Sequence, residues 1–155
     1  MAVDFKSYRT WNELPENDQL LIERAKKNQT RAYAPYSKFN VGASILLSDG
    51  TFVDGFNIEN ASYPMCICAE RVAIGNAMVN HPEMVINSIA VIAGDTDEPA
   101  FPCGACRQVI YEMEYRQKTP IRVIIASNSG HVIIADNAGI LLPNSFRPDF
   151  LIEKR

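Results

Sequence analysis

The residues of this chain that are best suited to chemistry are four cysteines and a glutamate, namely Cys66, Cys68, Glu70, Cys103 and Cys106. Three uses of these thiols fit their spacing. Cys103 and Cys106 form a C-x-x-C pair that suits a thioredoxin-like redox dithiol. All four cysteines together suit a closed structural zinc site, and Cys68, Cys103 and Cys106 suit a catalytic zinc with one position open for water.

Both cysteine groups lie where helices are predicted to begin. Cys68 opens the helix that runs through A-E-R-V-A-I, and Cys103 and Cys106 open the helix that runs through R-Q-V-I-Y-E-M. A helix N-terminus has unpaired N–H groups and a partial positive charge, so it favours the thiolate that binds metal. Two such helices on one face of a sheet would bring three sulfurs to one point.

Glu70 favours the catalytic interpretation over the other two. A structural zinc site has no use for a neighbouring carboxylate, whereas a catalytic zinc needs a group that moves the proton of its water. Glu70 follows Cys68 by two residues, so it can reach that water without binding the metal. A lone glutamate there would be an ordinary first-turn helix acid, and the redox pair and the four-cysteine site remain alternatives.

Five sequence blocks carry a family resemblance. C-A-E-R (68–71) and P-C-G-A-C-R-Q (102–108) follow the zinc deaminase pattern of Cys or His, one residue, Glu, and a later P-C-x-x-C. Y-A-P-Y-S-K-F-N-V-G-A (33–43), N-I-E-N-A-S-Y (57–63) and L-L-P-N-S-F (141–146) occur in the same order as in the small cytidine deaminases of pyrimidine salvage. The chain resembles the short, homotetrameric members of that family, in which the third metal ligand is Cys and not His.

The resemblance implies a hydrolase that carries one Zn²⁺ per subunit on Cys68, Cys103 and Cys106. Its reaction would convert cytidine and 2′-deoxycytidine to uridine and 2′-deoxyuridine with release of ammonia. Zinc-bound hydroxide would attack C4 of the pyrimidine, and Glu70 would carry protons from the water to ring atom N3 and then to the leaving ammonia.

The resemblance also assigns the residues that would bind the nucleoside. Phe39 would pack on the pyrimidine, and Asn57 and Glu59 would hold the ribose hydroxyls. An amide and a carboxylate two residues apart on an extended segment point the same way, which suits a grip on a diol. The backbone of Ala69 would read the edge of the base.

Further positions are assigned around this site. Tyr63 and Phe146 would complete the site of a neighbouring subunit, and Arg71 and Arg107 would donate hydrogen bonds to the zinc-bound sulfurs. A solvent-exposed helix charge is an equally good interpretation of Arg107. Cys66 matches no required ligand and is interpreted as a small apolar residue or bystander thiol.

The elements that must position these residues can be placed from hydrophobic patterning. Helices are predicted at 16–29, 69–80 and 105–115, and strands at 41–48, 51–57, 86–93, 121–127 and 131–135. The D-G pair between the first two strands is typical of a hairpin. Alternation of helices and strands after it predicts an α/β fold, a three-layer α/β/α sandwich with a mixed five-stranded sheet.

Composition sets the broad class of the molecule. The 155 residues are 47% hydrophobic and 21% charged with a formal net charge of −3, which predicts one domain over residues 1–155 with an N-terminal extension at 1–13. The acidic charge disfavours a nucleic-acid surface. Neither a signal peptide nor a membrane span is apparent, so we expect a cytoplasmic enzyme whose partners are a small nucleoside and copies of itself.

Overall fold

The computed structural model describes residues 5–151, which form one mixed sheet with helices on both faces. The strands are β1 (Lys6–Tyr8), β2 (Val41–Leu47), β3 (Phe52–Phe56), β4 (Ile86–Ala93), β5 (Arg122–Ala126) and β6 (Val132–Ala135). The helices are α1 (Glu16–Gln29), α2 (Ala69–Asn80), α3 (Gly104–Gln117) and the short α4 (Ala138–Leu141). Single 3₁₀ turns cover Trp11–Glu13, Tyr63–Met65 and Pro148–Phe150.

The sheet has the strand order β1-β6-β5-β4-β2-β3. β4 and β5 run parallel and are joined through α3, whereas β2 and β3 form the predicted hairpin. The mixed α/β class is therefore confirmed, but the predicted count of five strands is wrong, because residues 5–151 form six. The additional strand is β1, which pairs antiparallel with β6 and covers an edge that would otherwise be open.

Side chains of β4 show how the layers form. Ile89 and Val91 belong to the core that contains the buried faces of α2, α3 and α4. Ala90 and Ile92 point to the other side and belong to the core under α1. Because successive strand residues face opposite sides, this alternation gives the predicted three-layer sandwich.

The helices that carry the cysteines begin directly after a cysteine. Cys68 is the N-cap of α2 and Cys103 is the N-cap of α3, and both have extended backbone angles. The prediction that the thiols sit at helix starts is confirmed. The residues before α2 are fixed by an antiparallel bridge between Ile58 and Ile67, with N–H···O distances of 2.9 Å in both directions.

Gly55 on β3 lets the first turns of α2 approach the sheet closely. A Cβ at this position would lie 2.5 Å from both the carbonyl oxygen of Ala69 and the amide nitrogen of Ala73. Only a residue without a side chain fits there, so Gly55 determines how near α2 lies to β3.

Candidate metal centre and active site

Three cysteine sulfurs form a cluster between the starts of α2 and α3. The Sγ atoms of Cys68, Cys103 and Cys106 all lie within 4.8 Å of one another. Cys106 is fully buried, Cys68 is half-buried, and Cys103 is exposed. A tetrahedral zinc with Zn–S bonds of about 2.3 Å holds its sulfurs roughly 3.8 Å apart, so small side-chain movements suffice to fit it.

One thiol of this cluster, that of Cys68, has a pKa that favours loss of its proton. A hydrogen bond from Cys106 lowers the pKa of Cys68 to about 6, and the same contact raises the pKa of Cys106. The positive charge of Arg71 also lowers the pKa of Cys68. The cluster therefore contains a thiolate at neutral pH, which is the form that binds metal.

Cys66 is not part of this metal-competent group of the described residues. Its Sγ accepts a hydrogen bond of 3.3 Å from the amide of Asn60 and lies 3.7 Å from the Asn60 carbonyl. It is half-buried and lines the same cavity as Cys68 and Cys103. The arrangement favours three thiolate ligands over a closed site of four.

Glu70 lies in the first turn of α2, beside the sulfur cluster. Its side chain is only 4% exposed, and burial raises the pKa of its carboxyl above the ordinary range. A carboxyl with a raised pKa exchanges protons more easily near neutral pH than an exposed one. Glu70 also lines the cavity that contains the thiols, so its protons can reach a bound molecule.

The cavity at this site has a volume of about 410 Å³, which lies within the usual range of about 300–1,000 Å³ for small-molecule pockets. Its walls are mostly apolar, with a few polar side chains. The lining residues are Ser37, Phe39, Val41, Asn57, Ile58, Glu59, Cys66, Ile67, Cys68, Glu70, Val91, Ala93, Ala100, Phe101, Pro102 and Cys103. None of these described residues is a lysine or arginine.

Glu59 is held in the cavity by the loop before β2. Its carboxylate accepts hydrogen bonds from the amides of Tyr36 at 2.9 Å and Ser37 at 3.2 Å, and from the hydroxyl of Ser37. The Ser37 hydroxyl and the two amides lower the pKa of Glu59. Glu59 is therefore a fixed negative charge at the cavity wall.

Asn57 and Phe39 are linked through the backbone. The Asn57 amide donates to the Phe39 carbonyl at 2.9 Å and accepts from the Val41 N–H at 2.8 Å. The Phe39 ring rests on Gly94, where an added Cβ would lie 2.3 Å from the ring. Gly94 has a positive φ of 63°, so two features favour glycine there.

Comparison with known proteins identifies the site. The family described as "Cytidine and deoxycytidylate deaminase zinc-binding region" matches residues 15–121. The chain belongs to the cytidine and deoxycytidylate deaminase family. Its predicted resemblance is thereby confirmed, and with it the expectation of zinc at the cluster of Cys68, Cys103 and Cys106.

Individual members of the deaminase family show the same likeness. A cytidine deaminase of Sporosarcina psychrophila is 52% identical over 92 residues, which cover 59% of this chain and 66% of that protein. A cytidine deaminase of Mycobacterium tuberculosis (strain CDC 1551 / Oshkosh) is 34% identical over 143 residues, which cover 92% of this chain and 99% of that protein. A crystal structure of cytidine deaminase from Burkholderia pseudomallei aligns with a TM-score of 0.75 at 42% identity, covering 86% of this chain and 100% of that chain.

Family membership also tests the competing uses of the cysteines. A zinc-binding region accounts for Cys68 as well as for the pair Cys103 and Cys106, which a redox dithiol leaves unexplained. Within residues 5–151, no helix is both long and apolar enough to cross a bilayer.

The two arginines assigned to the sulfurs have different surroundings in this deaminase. Arg71 is exposed and acts on Cys68 through its charge. Arg107 donates Nε to the Pro102 carbonyl at 2.7 Å and Nη1 to the Leu141 carbonyl at 3.0 Å. Arg107 thus ties the start of α3 to the end of α4, and these two bonds go to backbone carbonyls and not to a sulfur.

The remaining assigned residues, Ala69, Tyr63 and Phe146, are not among the residues that line the main cavity. Ala69 is fully buried at the start of α2, where the first N–H groups have no partner within the helix. Tyr63 is 67% exposed and borders a smaller neighbouring cavity that shares Ser37, Glu59 and Cys66 with the main one. Phe146 is 56% exposed and contacts the Phe150 ring at 5.9 Å.

The sequence analysis assigned no role to Ser37 and Phe101, which line the cavity, or to Gly94, which lies under the Phe39 ring. Ser37 binds Glu59 across 22 positions of the chain, and Gly94 supports Phe39. Phe101 stands two residues before Cys103 in the cavity wall. Only Phe101 had a local signal, a large aromatic residue directly before P-C-G-A-C.

Proposed function

We propose that this chain hydrolyses the 4-amino group of cytidine and 2′-deoxycytidine, yielding uridine or 2′-deoxyuridine and ammonia. The observation that supports this proposal most directly is the position of Glu70, a buried carboxyl in the same cavity as Cys68 and Cys103. Proton transfer and metal binding are thus available at one point. Family membership supports the same reaction.

Cys68, Cys103 and Cys106 would hold the zinc, and their three sulfurs leave a fourth tetrahedral position free. The zinc supplies Lewis acidity that makes a water nucleophilic at neutral pH. In the proposed reaction one C–O bond forms at C4 of the pyrimidine and the C4–N bond breaks.

Glu70 provides the proton transfers that this exchange requires. Its carboxylate accepts a proton from the attacking water and delivers it to ring atom N3. A second proton moves through the same carboxyl to the departing amino group, which leaves as ammonia. Burial raises the pKa of Glu70, so its carboxyl takes up a proton more readily than that of an exposed glutamate, as a proton shuttle needs.

Phe39, Asn57, Glu59 and Ala69 would bind the nucleoside. The Phe39 ring offers an apolar face in the cavity, and Glu59 and Asn57 offer hydrogen-bonding atoms on the same wall. Asn57 uses one hydrogen of its amide and one lone pair on the backbone of Phe39 and Val41, which leaves one of each for a ribose hydroxyl. The first-turn N–H of Ala69 would face the base edge.

The charge of the cavity favours a nucleoside over a nucleotide or nucleic acid. Its described lining contains Glu59 and Glu70 and no basic side chain to neutralise a phosphate. The formal net charge of −3 acts in the same direction over longer distances.

A homotetramer with shared active sites would use the exposed aromatic residues. Tyr63 and Phe146 are both exposed, so their rings are available to contact a neighbouring chain. In this proposal each would reach a neighbouring chain's cavity, while Arg71 and Arg107 would support the ligand loops of their own chain. Residues 1–155 would form one deaminase domain.

The test is a deamination assay with four compounds: cytidine, 2′-deoxycytidine, deoxycytidine 5′-monophosphate and free cytosine. We expect turnover of the two nucleosides and little or none of the nucleotide or the base. Turnover of the monophosphate above that of both nucleosides would contradict the charge argument. Absence of turnover with all four would contradict the proposed function.

A further inference from the structure

The loop between β4 and α3, residues 94–103, forms one wall of the cavity and ends at the ligand Cys103. Within it, Ala100, Phe101 and Pro102 line the cavity. The position of this wall therefore affects both the space for substrate and the approach to the metal.

Strand β1 is anchored to this loop through an aromatic pair. The ring of Phe5, which directly precedes β1, lies with its centroid 5.4 Å from that of Phe101 at an interplanar angle of 67°. This edge-to-face arrangement is the favoured geometry for two aromatic rings. Phe5 is half-buried and also packs against the core that contains α2 and α3.

The Phe101 ring is held from a second direction. The Arg107 guanidinium lies 5.8 Å from its centroid while donating to the Pro102 carbonyl. Even so, Phe101 remains 37% exposed and borders the cavity. A ring fixed on two sides and open on a third presents a defined apolar surface to whatever occupies the cavity.

A second contact joins β1 to the same loop. The Ser7 hydroxyl lies 3.0 Å from Nε2 of His131, and Nδ1 of His131 lies 2.8 Å from the carboxylate of Glu98. The strand itself pairs with β6, with Ser7 opposite Ile133. Contacts at Glu98 and Phe101 thus hold the loop at two points.

We propose that Phe5 is a positioning residue for the deamination site, acting through Phe101 to set the shape of the cavity wall. Phe5 precedes the segment that matches the deaminase family, which begins at residue 15. The N-terminal segment is then part of the substrate-binding architecture of this chain. This inference rests on the proposed function, because Phe101 is taken to border a bound nucleoside.

The experiment compares steady-state kinetics for cytidine in the full chain and in the variants Phe5→Ala, Phe5→Leu, Phe101→Ala and the double variant. We expect Phe5→Ala to raise KM by about three- to tenfold, with kcat within about twofold and zinc content unchanged. Phe5→Leu should restore part of the loss. Because Phe5 acts through Phe101, its removal should add little to the effect of Phe101→Ala.

The matched control is Lys6→Ala, which removes the exposed ion pair with Asp136 from the same strand without touching Phe101. Its KM should match that of the unmodified chain. The dissociation constant for uridine, measured by calorimetry, should rise in Phe5→Ala by the same factor as KM.

Two outcomes would overturn the inference alone, and a third would overturn it together with the proposed function. An active unmodified chain with an unchanged KM in Phe5→Ala would remove the positioning role alone. If Phe5→Ala raises KM by the same factor in the Phe101→Ala variant as in the unmodified chain, the two residues are not coupled. That result would also remove the positioning role alone. An inactive, zinc-loaded unmodified chain would overturn the proposed function and this inference with it.

Discussion

The floor of the cavity and a set of three aromatic side chains on surface loops differ in burial and in the number of chain segments that hold them. The floor consists of Cys68, Glu70, Cys103 and Cys106, which come from the first turns of two helices or directly precede them. Both helices pack on the same core, and Glu70 and Cys106 are almost inaccessible to solvent. Burial decreases toward Cys103, which opens to the cavity.

The second region, called the rim, consists of three aromatic side chains on loops, Phe39, Tyr63 and Phe146, of which Phe39 lines the main cavity and Tyr63 the smaller neighbouring one. All three are classed among the exposed large hydrophobic residues of the chain. They come from three separate connections, before β2, before α2 and after α4. Their rings have contacts on one side, such as Gly94 under Phe39 and Phe150 beside Phe146, and none of the three is enclosed.

One chain can therefore assemble the metal and proton chemistry by itself, whereas it encloses a substrate only in part. Rigid helix starts give the short distances that metal binding and proton transfer need. The exposed rings retain apolar surface that a substrate or a second chain can bury. Changes to the floor should therefore abolish the reaction, and changes to the rim should weaken binding.

The largest effect is expected from Cys106→Ala. Removal of this buried ligand should reduce bound zinc from about one per chain to near zero and abolish deamination. Metal analysis and the cytidine assay measure the two losses. Full zinc content in the variant would show that the floor does not use Cys106 as a ligand.

Glu59→Gln should produce a smaller but substantial loss. Removing a charged hydrogen-bond acceptor from the wall should lower kcat/KM for cytidine by roughly 10- to 100-fold, mainly through KM, with zinc retained. The matched control is Glu23→Gln, an exposed acid on α1 at the opposite face of the sheet, which should behave like the unmodified chain. An unchanged KM in Glu59→Gln would remove this residue from the binding wall.

Phe146→Ala tests whether the rim belongs to a neighbouring chain. KM should rise by about three- to tenfold with kcat nearly unchanged. Subunit exchange with Glu70→Gln chains should then create mixed sites that combine an intact Glu70 with an intact Phe146, and a fraction with normal KM should appear. If exchange restores nothing although mixed oligomers form, Phe146 acts within its own chain or not at all.

The smallest effect is expected from Cys66→Ser. This residue borders the cavity but lies outside the sulfur cluster, so zinc content and kcat should stay within about twofold of the unmodified chain. Zinc analysis by the same method used for Cys106→Ala gives the comparison. Loss of zinc in Cys66→Ser would instead support the interpretation as a structural zinc site of four cysteines.

The residues of the floor could be predicted from the sequence because the signals for them are local. Cys68, Glu70 and Cys103 lie within four residues of a helix start that apolar spacing and charge already predict. The clustering of three thiols then follows from two helices on one face of a sheet.

The parts that sequence reasoning missed depend on partners far along the chain. β1 has only three residues, too few for a periodic pattern, and it becomes a strand because the edge of β6 is available. Arg107 binds Leu141, 34 positions away, and Phe5 meets Phe101 across 96 positions. Such contacts are fixed by the packed fold and leave no spacing signal.

The most direct test of this account is turnover by Glu70→Gln chains loaded with zinc. The substitution keeps the size of the side chain and removes its ability to exchange a proton, while the three thiols are untouched. We expect about one zinc per chain, an unchanged fold, and a kcat for cytidine reduced by roughly 100- to 10,000-fold. Turnover close to that of the unmodified chain, at full zinc content, would contradict the claim that Glu70 moves the protons.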